Sequence, residues 1–392
     1  MTNFLRSSEI SFKGKIVGRL EETASGGSRY LYHEGCREAI ACCLPVSRRE
    51  HEWQAGLHPF FQHLGAEGWL RERQARAAHL TEEDDFGLLR RYGADCIGAV
   101  GVLPDAGQPP RIATSREGIN PGRTVSGVQR KLLVVRDAAV NAFRPAELTG
   151  PAPYIAKFNS PNLPTLVRNE HLSLRWATAM LGAEEVTEFQ LGPVAELDET
   201  ALIVTRFDRT AGGEKLRAED FAQILSKPRG HDYAGKYDAS YEEVAEAIRA
   251  HSARPLIDLA RLFRRLVVFT LLANGDAHLK NFTLLERPEG MRLSPVYDVV
   301  NVGLYPEVSQ RLALALNGDF ILLDAVTRSL LVAFAERIGL SKSAIAGIFR
   351  DLTAKARQAH RNLPPPEDEG RDPFTARFTE IVRNGCLRLL EE

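Results

Sequence analysis

The chain's strongest constraint lies in "LLANGDAHLKNFTLLERPEGMRLSPVYDVVN", Leu271 to Asn301, where Asn, Asp, His and Lys crowd between two apolar runs. Polar side chains placed among core residues are costly unless they bond one another or a ligand. One reading is structural: a helix capped at Gly275 and followed by a polar turn. The spacing offers another. Asp276 is followed by four residues and then Asn281, the D-x-x-x-x-N arrangement of a kinase catalytic loop. There the Asp takes the proton of the acceptor hydroxyl and the Asn oxygen holds magnesium. Asp298, in "VYDVV", can supply a metal carboxylate, since magnesium prefers hard oxygens and usually takes one or two carboxylates plus phosphate. His278 reads as structural or as hydrogen-bonded to the metal Asp, and Lys280 either neutralises phosphoryl charge or is solvated.

At 392 residues the chain exceeds the usual single domain, so two lobes are expected. A hydrophobic fraction of 44% with 26% charged residues excludes a mainly disordered chain. The net charge of −1 gives no global pointer to nucleic acid or a membrane surface. Five cysteines without a C-x-x-C pair read as reduced thiols of a cytoplasmic protein. No segment approaches a membrane span.

Short alternating strands with Gly turns fill "ISFKGKIVGRLEET" to "GSRYLYHEG", and residues 59–91 look helical. After a Pro/Gly-rich linker, "RKLLVVRD" and "PYIAKFNS" read as strands and "TLVRNEHLSLRWATAMLGA" as an amphipathic helix. Long helical patterns follow Arg209. The expected class is α+β, a strand-rich N-terminal half and a helical C-terminal half. The expected divisions are 1–105 (small N-terminal subdomain), 106–208 (strand-rich lobe with a phosphate loop) and 209–392 (helical lobe with catalytic and metal-binding loops).

A nucleotide kinase also needs a phosphate cradle and a lysine. "RTVSGVQRKLLVV" offers backbone N–H groups around Ser126 and Gly127, although Ser-Gly also serves many plain turns. Lys157 sits in an otherwise apolar strand, where a lysine is expensive unless paired, and Glu170 lies on the following helix. A strand lysine paired with a helix glutamate positions phosphates in protein kinases; the plain alternative is a lysine at a strand edge. Thr205 to Phe207, in "VTRFDR", lies where the strand-rich half meets the helical half, a natural adenine hinge.

"TVSGVQRK", "YIAKF", "NEHLSL", "VTRFDR", "NGDAHLKNF" and "LSPVYDVV", in that order, resemble the HipA family of bacterial toxin kinases. The first hundred residues resemble that family's N-terminal subdomain. The resemblance implies a two-lobed protein-kinase-like fold and an ATP- and magnesium-dependent serine/threonine kinase. It implies a protein substrate such as an aminoacyl-tRNA synthetase, growth arrest and persistence. The partner it implies is a helix-turn-helix, HipB-like antitoxin that binds operator DNA. Carried over, Asp276 is the base, Asn281 and Asp298 hold magnesium, and Lys157 binds phosphate. Ser126, Gly127, Glu170, Thr205, Phe207, His278, Lys280 and Tyr297 complete the ATP set. Thr124 and Ser126 fall on the family's autophosphorylation position, where an added dianion would repel ATP phosphates.

Two rivals stand beside this reading. "NGDAHLKNF" is also similar to the H-G-D-x-H-x-x-N loop of aminoglycoside- and choline-type kinases, with Asn274 where His would stand. A catalytically silent pseudokinase acting as co-repressor is the other. The turn-rich Lys227 to Ser240 segment reads equally as a substrate or regulatory loop and as an ordinary connection.

Overall fold

A computed structural model describes residues 4–103, 129–147, 150–195, 197, 199–362 and 372–391. The chain forms two compact units, one of residues 1–167 with 189–235 and the other of residues 168–188 with 236–392.

The first unit opens with a five-stranded antiparallel sheet of β1 (Phe4–Phe12), β2 (Lys15–Thr23), β3 (Ser28–Tyr32), β4 (Glu50–Trp53) and β5 (Val100–Val102), ordered β4-β3-β2-β1-β5. The helical expectation for 59–91 resolves into α1 (Pro59–Gln62), α2 (Gly68–Ala78) and α3 (Asp85–Tyr92). Ile10, Phe12, Leu20, Tyr30, Phe60 and Phe61 form its core. The second half of this unit is a closed barrel, β10-β8-β6-β7-β9. Its strands are β6 (Lys131–Asp137), β7 (Ala142–Pro145), β8 (Tyr154–Lys157), β9 (Phe189–Val194) and β10 (Glu199–Thr205). Closure comes from a parallel contact of Phe143 with Val194, a pairing that local sequence does not announce. β11 (Ala218–Asp220) and α5 (Phe221–Ile224) follow, the latter held by an Asp220–Gln223 capping box.

Histidine 58 makes this unit sensitive to acid. It precedes α1, and its Nδ1 accepts the Phe60 N–H at 3.1 Å, which requires a neutral ring nitrogen. Burial, and secondarily His51, push its pKa from 6.5 down to about 4. The unfolded chain therefore takes the proton near pH 6.5, whereas the folded chain resists until about pH 4. Stability falls as pH drops through that window. Between pH 7 and 5 the loss from this one group is about 2 kcal/mol. His51, His171 and His360 are shifted the same way, so the His58 share is isolated by comparison with His58→Asn. Urea midpoints at the two pH values should differ less in the variant than in wild type; equal differences would show that His58 does not contribute.

The second unit contains most of α4 (Leu166–Leu181), then α6 (Tyr241–His251), α7 (Pro255–Leu271), a hairpin of β12 (Thr283–Arg287) and β13 (Gly290–Leu293), α8 (Arg328–Arg337), α9 (Lys342–Asn362) and α10 (Pro373–Leu390). α7 starts on Pro255, whose fixed φ and missing N–H suit the first helical position. Leu259, Leu262, Phe263, Leu266, Val267 and Phe269 are all buried, which makes it the central helix of the unit. Asp258, fully buried on the same helix, accepts bonds from Arg292 Nε (2.9 Å), Ser252 Oγ (2.6 Å) and the Leu293 N–H (3.1 Å), fastening β13 to α7. Among the described residues no helix is long and apolar enough to cross a membrane. All five cysteines are free thiols.

Candidate active site

The D-x-x-x-x-N segment begins where α7 ends, and the helix stops earlier than a cap at Gly275 would require. Leu272 is the cap, and Ala273 takes the left-handed turn at φ 50°. The Asn274 N–H reaches back to the Phe269 carbonyl at 2.8 Å, closing the end in Schellman fashion. Gly275 is needed for a different reason. A Cβ there would lie 2.7 Å from the Arg311 carbonyl oxygen and 2.9 Å from Val302 Cγ2. The polar turn is thus pressed against backbone, which fixes where Asp276 emerges.

Asn281 then joins the two acidic positions. Its Nδ2 donates to the Asp276 carbonyl at 2.6 Å and reaches the Asp298 carbonyl at 3.5 Å. An amide that spends its N–H groups on backbone presents its oxygen elsewhere, and Oδ1 is the hard atom a magnesium ion takes. The Asp276 side chain is 45% exposed and accepts a hydrogen bond at Oδ1 from Tyr237 Oη at 2.9 Å. His278 Nε2 stands 3.9 Å from the same oxygen. Tyr297 Oη donates to the Lys280 carbonyl at 2.7 Å and lies 2.6 Å from Thr283 Oγ1, tying the loop to the first residue of β12.

Asp298 has φ 58°, a conformation few non-glycine residues adopt. Such strain persists only where the surroundings over-determine it, and here anchors stand on both sides. Val296 donates to the Glu185 carbonyl (2.8 Å) and accepts from the Thr187 N–H (2.9 Å). Asn301 donates its N–H to Asn169 Oδ1 (2.9 Å) and accepts from Asn169 Nδ2 (2.9 Å). The Val302 N–H bonds the Ala273 carbonyl at 3.0 Å. Asn169 precedes Glu170 on α4, and both are fully buried. The helix carrying the expected glutamate therefore also holds the loop carrying the expected metal carboxylate. Asn274 Nδ2 and both side-chain polar atoms of Asn301 are buried without a hydrogen-bond partner among the described residues, a costly arrangement away from a functional site.

The second unit thus brings together Asp276, His278, Lys280, Asn281, Tyr297 and Asp298, with Glu170 in the same unit. Lys157, Thr205 and Phe207 belong to the first. Lys157 is buried in β8, paired in register with Lys131 of β6, also buried. Two lysines directly opposite each other on adjacent strands are a like-charge pair, unfavourable unless compensated. Lys131 escaped the sequence reading, although its place at the start of "KLLVV" puts it one strand across from Lys157. Thr205 and Phe207 are half-buried and alternate with buried Arg206 and Asp208. Thr124, Ser126 and Gly127 lie outside the described residues.

Residues 8–103 match the model of the HipA N-terminal domain, and residues 123–360 match that of the HipA-like C-terminal domain. The chain belongs to the HipA family. It is thereby a member of a serine/threonine kinase family. Among relatives, "Putative kinase Y4dM" of Sinorhizobium fredii is 30% identical over 329 residues, covering 78% of each chain. The serine/threonine-protein kinase toxin HipA of Shewanella oneidensis is 27% identical over 350 residues, 79% of this chain and 78% of the relative. The solved structure of the Shewanella oneidensis HipA, HipB and operator DNA complex superposes with a TM-score of 0.74 at 22% identity. It covers 98% of this chain and 97% of that one, so the two-lobed α+β kinase-like fold expected from the sequence is the HipA fold.

Proposed function

We propose that this HipA-family chain is an ATP- and magnesium-dependent serine/threonine protein kinase toxin with Asp276 as its catalytic base. The observation that carries the reading is the Asn281 amide, whose Nδ2 bonds the backbones of both Asp276 and Asp298, so that its N–H groups are committed to the loop and its oxygen is the atom left to accept. One carboxylate and one amide oxygen, without a His or Cys partner, suit a hard cation that also takes phosphate oxygens. Among the described residues no group of three or more His, Cys, Asp or Glu side chains is placed to hold a metal ion.

In this reading Asn281 Oδ1 and the Asp298 carboxylate hold magnesium, which when bound would neutralise charge on the ATP phosphates. Lys157 on β8, with Lys131 across from it, binds phosphate, and Glu170 on α4 belongs to the same ATP-binding set. Thr205 and Phe207 flank adenine; Ser126 and Gly127 cradle phosphate. Asp276 takes the proton of the acceptor hydroxyl at its carboxylate, so the nucleophile gains charge only as phosphoryl transfer proceeds. His278, Lys280 and Tyr297 complete the ATP-binding set, and Tyr297 Oη ties the loop to β12 through the Lys280 carbonyl. The acceptor is a protein of the translation machinery such as an aminoacyl-tRNA synthetase, and its modification arrests growth in the cytoplasm. A HipB-like helix-turn-helix antitoxin restrains the enzyme and connects it to operator DNA.

Mass spectrometry of the intact chain and its peptides after incubation with magnesium and ATP tests this. One phosphate on Thr124 or Ser126 is expected, with activity declining as it accumulates. ATP binding without phosphate on any protein hydroxyl would favour a metabolite kinase or a silent co-repressor.

A further inference from the structure

The structure assigns Tyr237 as the positioning residue of Asp276, an inference that rests on Asp276 being the base. The Tyr237 hydroxyl donates to Asp276 Oδ1 at 2.9 Å. Its ring meets His278 edge-on, with centroids 5.1 Å apart at 80°, and Lys236 Nζ lies 5.2 Å from its centroid. Four residues on, the buried Tyr241 hydroxyl donates to the Ala277 carbonyl at 3.2 Å. One short segment therefore grips two consecutive residues of the catalytic loop, the first through its side chain and the second through its backbone.

The segment is itself fixed. The Ala239 N–H bonds the Tyr237 carbonyl at 3.0 Å, and the Tyr241 N–H bonds the Ala315 carbonyl at 3.0 Å. Ser240 and Glu243 form a complete capping box at the start of α6. The last residues of the Lys227 to Ser240 segment thus contact the catalytic loop, a role that neither the substrate-loop nor the plain-connection reading named.

The need for support follows from exposure. A carboxylate 45% open to solvent turns freely about its last torsion and presents either oxygen. Among the described residues, the contacts of the Asp276 carboxylate, with Tyr237 and His278, both fall on Oδ1. Tyr237 thereby commits Oδ1 to the protein and Oδ2 to the acceptor hydroxyl, and pre-set geometry of this kind acts on turnover and not on nucleotide affinity.

Tyr237→Phe removes one oxygen and keeps the ring against His278. Tyr241→Phe serves as the structural control and Asp276→Asn as the control for the base. Steady-state ATP turnover, with water as acceptor, gives kcat and KM for each full-length variant, and thermal unfolding gives Tm. For Tyr237→Phe a fall in kcat of about tenfold is expected, with KM for ATP within about twofold and Tm unchanged. Tyr241→Phe should lower Tm without that selective loss of kcat. A Tyr237→Phe kcat within twofold of wild type, or a KM rising in step with the loss, overturns the assignment. Should Asp276→Asn itself turn over like wild type, the base reading fails; if only Tyr237→Phe is silent, the positioning role alone is lost.

Discussion

With Asp276 as the proposed base, Asp276→Asn is expected to lower phosphoryl transfer by about 10³-fold and to leave ATP affinity within about twofold of wild type, the split that follows when a general base is removed at constant volume. The amide cannot take the acceptor's proton, yet it can still receive the Tyr237 hydrogen bond at its oxygen. The backbone carbonyl of residue 276, which is what Asn281 uses, is untouched. Asp298→Ala should differ in kind, losing magnesium-dependent ATP binding together with transfer, because that side chain is read as a metal ligand. Calorimetric ATP titration with and without magnesium, beside labelled-phosphate transfer, separates the two. Equal losses of binding in both variants would mean that Asp276 serves the metal and not the acceptor.

The second large effect is on stability. Asp208→Ala should cost about 3–5 kcal/mol, because it leaves a buried guanidinium without its counter-ion. Arg206 and Asp208 are almost fully enclosed, and Arg206 donates through Nε and Nη2 to the two carboxylate oxygens at 2.9 and 2.8 Å. The same carboxylate accepts from the Gly98 N–H at 2.8 Å and from Arg209 at 2.7 Å. Burial alone would raise the Asp208 pKa, but Arg206, then Arg209 and the Gly98 N–H, hold it below the ordinary carboxylate value. Its contribution is present above the unfolded pKa and disappears as pH falls through the lower folded one. Urea unfolding followed by tryptophan fluorescence should show the midpoint collapsing for Asp208→Ala; an unchanged midpoint would mean that Arg206 finds another partner. "VTRFDR" therefore has two jobs, with Thr205 and Phe207 read as nucleotide contacts while Arg206 and Asp208 lock β10 to residues 96–98.

What could be read from the sequence was whatever is local. The apolar run of α7, the D-x-x-x-x-N spacing and the strand containing Lys157 each declare themselves within a dozen residues, and their order carried the family resemblance. Features set by distant partners were not legible. The left-handed turn at Asp298 is imposed through Asn169, Glu185 and Thr187, more than a hundred residues upstream. Barrel closure depends on one contact between Phe143 and Val194. Tyr237 looked like any tyrosine in a turn-rich stretch. Gly275 was legible as an important glycine but not for its reason, since the demand is close approach of the Arg311 carbonyl and not a helix cap.

The conformation of Asp298 narrows what position 298 can be. Two demands meet there, the carboxylate that the proposed metal-ligand role calls for and a backbone at φ 58°. Asparagine meets the backbone demand and discards the charge. Glycine meets it still more easily and discards the ligand altogether. Glutamate keeps the charge, but its longer side chain lacks the local backbone bonding that lets Asp and Asn tolerate the left-handed region. Aspartate is the one ordinary residue that satisfies both, so the usual conservative exchange between the two acids is not conservative here. The three replacements divide one site into separable costs: charge in Asn, ligand in Gly, backbone in Glu.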